Sequence, residues 1–366
     1  LWKRIPAEVV VYYCGGRHDQ PRNPLAKEEI WMRRRPAVTT ALLMLSLLAV
    51  GMASSVNAAP RPGLMVYTST KDVIISQIKK TFMRKYPEIQ LDYYSAGAGK
   101  IMAKLAIERH AGRVMADVLW TSEVPDFYQL KGEGLLERYV SPEASAVISP
   151  VSDPDGYFTA ARLSTIGICY DITRINNPPR TWEDLLRPEY RDAFGIADPA
   201  ISGTSMLSVS MIVKNLGWDY IRKLRANGAK MGQGATQVVD DTAVGDLAAC
   251  LAVDYIAINK ILDGAPLGFV YLDKIMVIPS PVAILKGTPN PKAARAFVDF
   301  LLSREGQAIV AEGYTLPSRR DVPVARGMGL IPAEEAVKRA MSLDYIRLRS
   351  EKEEIIDRFA AIMTGR

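Results

Sequence analysis

The chain predicts an α/β fold built on parallel strands, and three observations carry that expectation. An apolar piece repeatedly runs into a turn of small polar residues and then into a segment of helical period. Residues 64–67 lead into Thr68-Ser69-Thr70, residues 89–94 into Ser95-Ala96-Gly97-Ala98-Gly99-Lys100, and residues 117–120 into Thr121-Ser122. Strand and helix alternating in this way describe a parallel sheet with crossover helices. The same pattern returns at Ala197-Asp198-Pro199-Ala200-Ile201-Ser202-Gly203-Thr204-Ser205. There an apolar piece at 194–197 stops at Asp198-Pro199, and a mostly apolar helix at 206–216 follows, ended by Gly217. Finally, 366 residues of near-neutral mean hydropathy are enough for two lobes with real cores.

The first segments read as an export leader. Met32-Arg33-Arg34-Arg35 opens a basic patch, residues 41–50 form an apolar run, and small residues lead to Val56-Asn57-Ala58. These are the three regions of a secretory signal, and the apolar run falls short of the about 20 residues a membrane span needs. Cleavage is expected after Ala58, because cutting after Ala59 would set Pro60 beside the scissile bond. Residues 1–31 are then upstream sequence without a structural role, 32–58 the signal, and the remainder an exported, periplasmic chain. The formal net charge is +6, but eight of the 46 basic and four of the 40 acidic residues precede position 59. The exported part is therefore close to neutral and carries no electrostatic footprint for nucleic acid.

Further along, residues 73–86 have helical spacing up to Pro87, residues 101–109 form the next helix, and 124–131 another. Residues 141–156 are a loop rich in Pro, Asp and Ser, and 164–170 a strand that carries the chain into a second lobe. Thr181 caps a short helix at 182–186. Helices are expected at 218–225 and 238–244, a strand at 250–255, and an extended return between lobes at 274–285, carrying Pro279 and Pro281. Residues 291–302 form an amphipathic helix continued by 306–311. The tail 332–364 is charged and helical in period, with 351–354 as an exposed face.

Absences narrow the chemistry. Only His18 and His110 occur, which rules against a His-rich metal site and leaves His110 as the one candidate for a His-based triad beyond the leader; His110 reads instead as a solvated helix end. No Walker loop or dinucleotide fingerprint is present, since Gly97-Ala98-Gly99 lacks a third glycine, so no cofactor is expected. Cys14 precedes the signal, while Cys169 and Cys250 sit in apolar runs as buried thiols or a disulfide, a choice spacing leaves open. No Cys stands immediately after the cleavage site, where Ala59 follows Ala58, so a lipid anchor is not expected. An enzyme would have to rely on Asp254 with the buried Cys250, and none is expected.

What remains is a set of hydroxyl and glycine turns. Ser202 or Thr204 can cap the helix that follows, leaving backbone N–H groups outward, a cradle for an anion; an ordinary N-cap is the plainer alternative. Tyr93-Tyr94 are packing residues on a strand or phenolate ligands for a ferric ion. Tyr255, after Asp254 at a strand end, is better placed for a cleft, and Asp254 either balances a cation on a ligand or caps the next helix.

In order and spacing these blocks resemble periplasmic solute-binding proteins of ABC importers, in the branch with ferric-iron, thiamine, phosphonate and sugar-phosphate binders. The landmarks include Val66-Tyr67-Thr68-Ser69, Ala96-Gly97-Ala98-Gly99-Lys100, Ala116-Asp117-Val118-Leu119-Trp120 and Gly134-Leu135-Leu136. They continue through Thr181-Trp182-Glu183-Asp184-Leu185-Leu186, Asp198-Pro199 with Ser202-Gly203-Thr204, and Pro281-Val282-Ala283-Ile284-Leu285-Lys286-Gly287 to Phe297-Val298-Asp299-Phe300-Leu301-Leu302-Ser303 with Glu305-Gly306-Gln307. The resemblance implies a two-lobed type II periplasmic binding protein with two mixed sheets flanked by helices, a hinge and a central cleft. Residues 59–165 and 282–366 would form the first lobe with the C-terminal helices, and 166–281 the second. It implies ligand contacts at Ser69, Thr70, Ala98, Gly99, Thr121, Ser122, Ser202, Gly203, Thr204, Ser205, Asp254 and Tyr255, no enzymatic activity, and a monomer that docks on ABC permease subunits. Ferric binders of the branch carry two adjacent tyrosines where this chain has Asp254-Tyr255-Ile256. A small anionic solute, a phosphonate or phosphorylated organic compound, is therefore expected first. A ferric ion or its chelate, held by Tyr255 with Tyr93 or Tyr94, is the alternative; thiamine-type ligands and a sensor role stand further off.

Overall fold

A computed structural model describes residues 63–148 and 152–366. The signal at 32–58 and the upstream 1–31 lie outside the described residues. β1 (Gly63–Thr68) shows how its sequence places it: Leu64 and Val66 enter one buried cluster and Tyr67, on the opposite face, enters another. A strand apolar on both sides needs cover on both faces, and helices supply it. In chain order follow α1 (Asp72–Lys85), β2 (Gln90–Ser95), α2 (Ala98–His110), β3 (Val118–Trp120), α3 (Val124–Gly132), β4 (Leu136–Glu137) and the long β5 (Thr159–Asp171). Next come β6 (Phe194–Ala197), α4 (Gly203–Ala226), β7 (Lys230–Gly232), α5 (Ala235–Ala243), β8 (Ala249–Val253), α6 (Asp254–Leu262), β9 (Leu267–Val270) and β10 (Met276–Leu285). The chain closes with α7 (Pro291–Leu302), α8 (Arg304–Glu312), α9 (Ala333–Lys338) and α10 (Tyr345–Thr364).

The strands form one mixed sheet in the order β2-β1-β3-β10-β5-β8-β6-β7, with β4 on β10 and β9 on β5. This corrects the expectation of two sheets. β1, β2 and β3 make one parallel triad and β6, β7 and β8 another. The antiparallel β5–β10 ladder runs from Thr159 opposite Val282 to Ile166 opposite Met276, so hydrogen bonding continues from one triad to the other. β10 is thus a central strand despite Pro279 and Pro281, which ordinarily confine a strand to an edge. The register shifts between Ser280 and Pro281, which accommodates them. β5 begins at Thr159, five residues before the expected start, because Arg162 interrupts the apolar pattern.

The two helices expected at 206–216 and 218–225 are the two halves of α4, parted at Gly217, whose backbone is non-helical with a φ of 80° that a side chain would resist. The tail divides into α9 and α10. Cys169 and Cys250 stand opposite each other in the β5–β8 ladder, buried and free, and the neighbouring Cys250 thiol together with burial pushes the Cys169 thiol up. Among the described residues no helix is long and apolar enough to cross a membrane.

Candidate functional site

All six parallel strands end at one cleft of about 290 Å³. After β1 come Ser69 and Lys71, after β2 Gly97, Ala98 and Lys100, and after β3 Ser122. From the other triad come Ile201 to Thr204 after β6, Gln233 to Gln237 after β7, and Val253, Tyr255 and Ile256 at the end of β8. Each of these turns opens a helix, so the N-termini of α1 to α6 converge on the same space. Carboxyl ends of parallel strands are where α/β sheets bind ligands, and helix N-termini favour anions.

The turn before α4 is built as its sequence suggests. The Asp198 carboxylate accepts the Ala200 N–H at 2.8 Å, and its carbonyl accepts from Ile201 and Ser202, folding the chain back at Pro199. Ser202 Oγ then accepts the Ser205 N–H at 3.3 Å and sits 3.0 Å from Thr204 Oγ1. Across the cleft Ser122 N–H donates to Ser69 Oγ at 3.2 Å, tying the turns after β1 and β3. The rims meet: a Cβ on Gly99 would collide with the Ala200 carbonyl, and one on Gly203 with the Glu123 side chain.

Arg162 on β5 forms the floor. It is 1% exposed, its Nη2 donates to Ser280 Oγ at 3.2 Å, and Nε and Nη1 have no partner. Its guanidinium lies 4.8 Å from the centre of the Tyr255 ring and 5.9 Å from that of Trp120. No carboxylate stands within 4.0 Å of it among the described residues. A buried cation with unmade hydrogen bonds is costly unless an anion completes it. Lys71, at the start of α1, is held below the usual lysine range by burial, against the pull of Asp72 and with the push of Lys100.

Of the residues expected from sequence, Ser69, Ala98, Ser122, Ser202, Gly203, Thr204 and Tyr255 line the cleft. Thr70, Gly99, Thr121, Ser205 and Asp254 stand behind it. Thr70 N–H turns to Thr68 Oγ1 at 3.0 Å, Thr121 N–H donates to the Pro281 carbonyl at 3.3 Å, and Ser205 Oγ donates to the Ala197 carbonyl. Asp254 lies beneath the floor, which corrects its expected role toward a ligand cation. Its Oδ2 accepts from Thr165 N–H at 2.9 Å and Thr165 Oγ1 at 2.8 Å, and its Oδ1 accepts the Tyr255 N–H at 2.7 Å. Burial pushes its carboxyl up to about 6 against those hydrogen bonds and the charge of Arg162. Tyr93 and Tyr94 lie off the cleft, Tyr94 with its ring tilted against that of Tyr67 at 5.4 Å between centres.

Sequence reasoning missed Arg162 and Lys71, and although residues 232–236 read as a small polar turn and Lys100 stood in a landmark block, neither was placed among the ligand contacts. A lone arginine in a buried strand, and lysines placed just after two strand-end turns, were the available signals. The exposed face expected at 351–354 is also corrected at Lys352, which reaches inward to Glu123 and, at 2.8 Å, to Asp126. Burial and the Asp126 charge push the Glu123 carboxyl up.

This architecture is the α/β fold of type II periplasmic binding proteins. It matches the periplasmic binding protein AfuA from Actinobacillus pleuropneumoniae, with fructose-6-phosphate bound, at a TM-score of 0.71 and 23% identity, over 83% of this chain and 99% of that one. It also matches iron-bound HitA from Pseudomonas aeruginosa at a TM-score of 0.70 and 24% identity, over 82% and 99%. A putative 2-aminoethylphosphonate-binding periplasmic protein of Salmonella typhimurium is 28% identical over 265 residues, 67% of this chain and 74% of that protein. Residues 115–341 match the family of bacterial extracellular solute-binding proteins, and the chain belongs to that family. It is a binding protein, not an enzyme.

Proposed function

We propose that the chain is the solute-binding component of an ABC importer, capturing a small anion in the periplasm, a phosphonate or phosphorylated organic compound, and delivering it to membrane permease subunits. Residues 59–165 with 282–366 act as one lobe and 166–281 as the other, hinged where β5 and β10 cross between the triads. The observation that carries the anion reading is Arg162: a buried guanidinium at the cleft floor with two nitrogens unpartnered and no counter-carboxylate. Ser69, Ser122, Ser202 and Thr204 add hydroxyl donors around it. Thr70, Gly99, Thr121 and Ser205 serve by shaping the turns that present those donors.

Ferric ion or a ferric chelate is the second reading, favoured by Tyr255 on the cleft wall and by the likeness to an iron-bound protein. Against it, Tyr93 and Tyr94 are off the cleft, and Lys71, Lys100 and Arg162 repel a trivalent cation. Native mass spectrometry of the protein purified from periplasm decides between them. A bound organic mass containing phosphorus supports the anion reading; a mass shift fitting iron, with tyrosinate colour, replaces it.

A further inference from the structure

The charges around the cleft narrow what the solute carries besides its phosphorus group. Cations reach it from separate elements: Lys71 before α1, Lys100 in the first turn of α2 and Arg162 on β5. No Asp or Glu lines it. The buried carboxylates nearby are committed elsewhere. Asp254 accepts from Thr165 and Tyr255 beneath the floor, and Glu123 and Asp126 share Lys352 behind the α4 N-terminus. Among the described residues neither Lys71 nor Lys100 has a carboxylate within 4.0 Å. One phosphate ester brings a charge of about −1.5 to −2 at neutral pH. Three side-chain cations and the converging helix N-termini exceed that, and the surplus sits at the rim, where Lys100 is exposed.

An ammonium group on the solute would fare poorly. It would meet like charges with no carboxylate on the cleft lining to receive it. The aromatic ring on the cleft, Tyr255, is already covered by the Arg162 guanidinium at 4.8 Å.

We infer that the cleft selects a solute with a second anionic group, a phosphorylated or phosphono carboxylic acid, and discriminates against amine-bearing phosphonates. This rests on the anion reading above. Arg162 takes one anionic group at the floor, and Lys71 with Lys100 take the other at the rim. The similarity to a putative aminoethylphosphonate-binding protein then reflects shared descent of the phosphorus site, with the far end of the cleft recast.

Titration calorimetry on the mature chain, stripped of bound solute by reversible unfolding, tests it with two matched pairs. 3-Phosphoglycerate against glycerol 3-phosphate differs by a carboxylate, and 2-aminoethylphosphonate against propylphosphonate by an ammonium. The expected results are about tenfold or more in favour of the carboxylate and about tenfold or more against the ammonium. Lys71→Met with Lys100→Met, the first half-buried and the second exposed, and checked for an unchanged circular dichroism spectrum, should bring both ratios close to one. Aminoethylphosphonate binding as well as propylphosphonate, or a carboxylate that adds nothing, overturns the inference and leaves the anion reading standing. Binding of none of the four, with ferric citrate bound instead, overturns both.

Discussion

Arg162 and Asp254 lie close together under the same cleft, yet the structure assigns them opposite duties. Arg162 has donors to spare, so it is poised for something that arrives; Asp254 has its acceptors filled by Thr165 and Tyr255, so it holds β5 to the start of α6. Two outcomes follow from this difference. Arg162→Met should cost about a hundredfold or more in affinity for glycerol 3-phosphate, because a desolvated charge pair with the ligand is lost. The same change should raise the melting temperature of the solute-free protein, because an unpaired buried charge is removed. Calorimetric titration and a thermal melt read the two, and retained affinity with a lowered melting point would make Arg162 structural. For Asp254, the folded carboxyl sits near 6 against an ordinary 3.8. The folded state therefore binds the proton more tightly than the unfolded chain, and the stability this gives is fully present below the unfolded value and lost as pH rises through about 6. Urea unfolding of the wild type and Asp254→Asn should show their difference in stability moving against the wild type by on the order of 2–3 kcal/mol between pH 4 and 7, then levelling. A difference that is flat with pH would place the titration elsewhere.

At the level of the element, the unit is strand, small turn, helix N-terminus, repeated at β1, β2, β3, β6 and β7, while β8 runs straight into α6. Apart from the strand β7, that unit was legible in the sequence because its parts are local: small residues suit a turn at a strand's carboxyl end, and Gly97, Ser202 and Gly234 stand at the caps of α2, α4 and α5, while Lys71, Glu123 and Val253 stand at those of α1, α3 and α6. The turn before α4 is the best-formed case, and Ser202→Ala with Thr204→Val should weaken glycerol 3-phosphate binding by about tenfold. Part of any stability loss belongs to the cap, since Ser202 Oγ receives the Ser205 N–H. Thr204→Val alone separates the roles, because it keeps that cap and removes a hydroxyl from the cleft wall; a full loss in the double variant with none in the single would assign the effect to helix capping. What was not legible is long-range. Arg162 stands among Trp120, Tyr255 and Ser280, drawn from three other segments, and only the antiparallel crossing of β5 between β10 and β8 brings them together. Asp254 misled for the same reason: as the first residue of α6 it looked free to face a ligand, while Thr165, 89 positions away, claims it.

Across the whole molecule, the continuous β5–β10 ladder and the meeting of the two rims bear on how solute is held. The expectation of two sheets failed because chain order shows a departure and a return but not whether hydrogen bonds run unbroken between them. If the triads move relative to each other, the movement bends that ladder, and the Ser280–Pro281 irregularity is where its register already shifts. The compact state brings the start of α2 against the turn after β6, with Gly99 facing the Ala200 carbonyl. The opposing atom is main chain on a turn tied by Asp198, so it cannot swing aside as a flexible side chain would. Gly99→Val should therefore wedge the rims apart at little cost to the separate triads. The expected result is a solute affinity lower by about tenfold or more, a solute-free melting temperature within a few degrees of wild type, and a larger radius of gyration by X-ray scattering at saturating solute. Wild-type affinity together with a wild-type radius would mean that the rims do not meet when solute is bound, and that the cleft is sealed by the solute and by Arg162 alone.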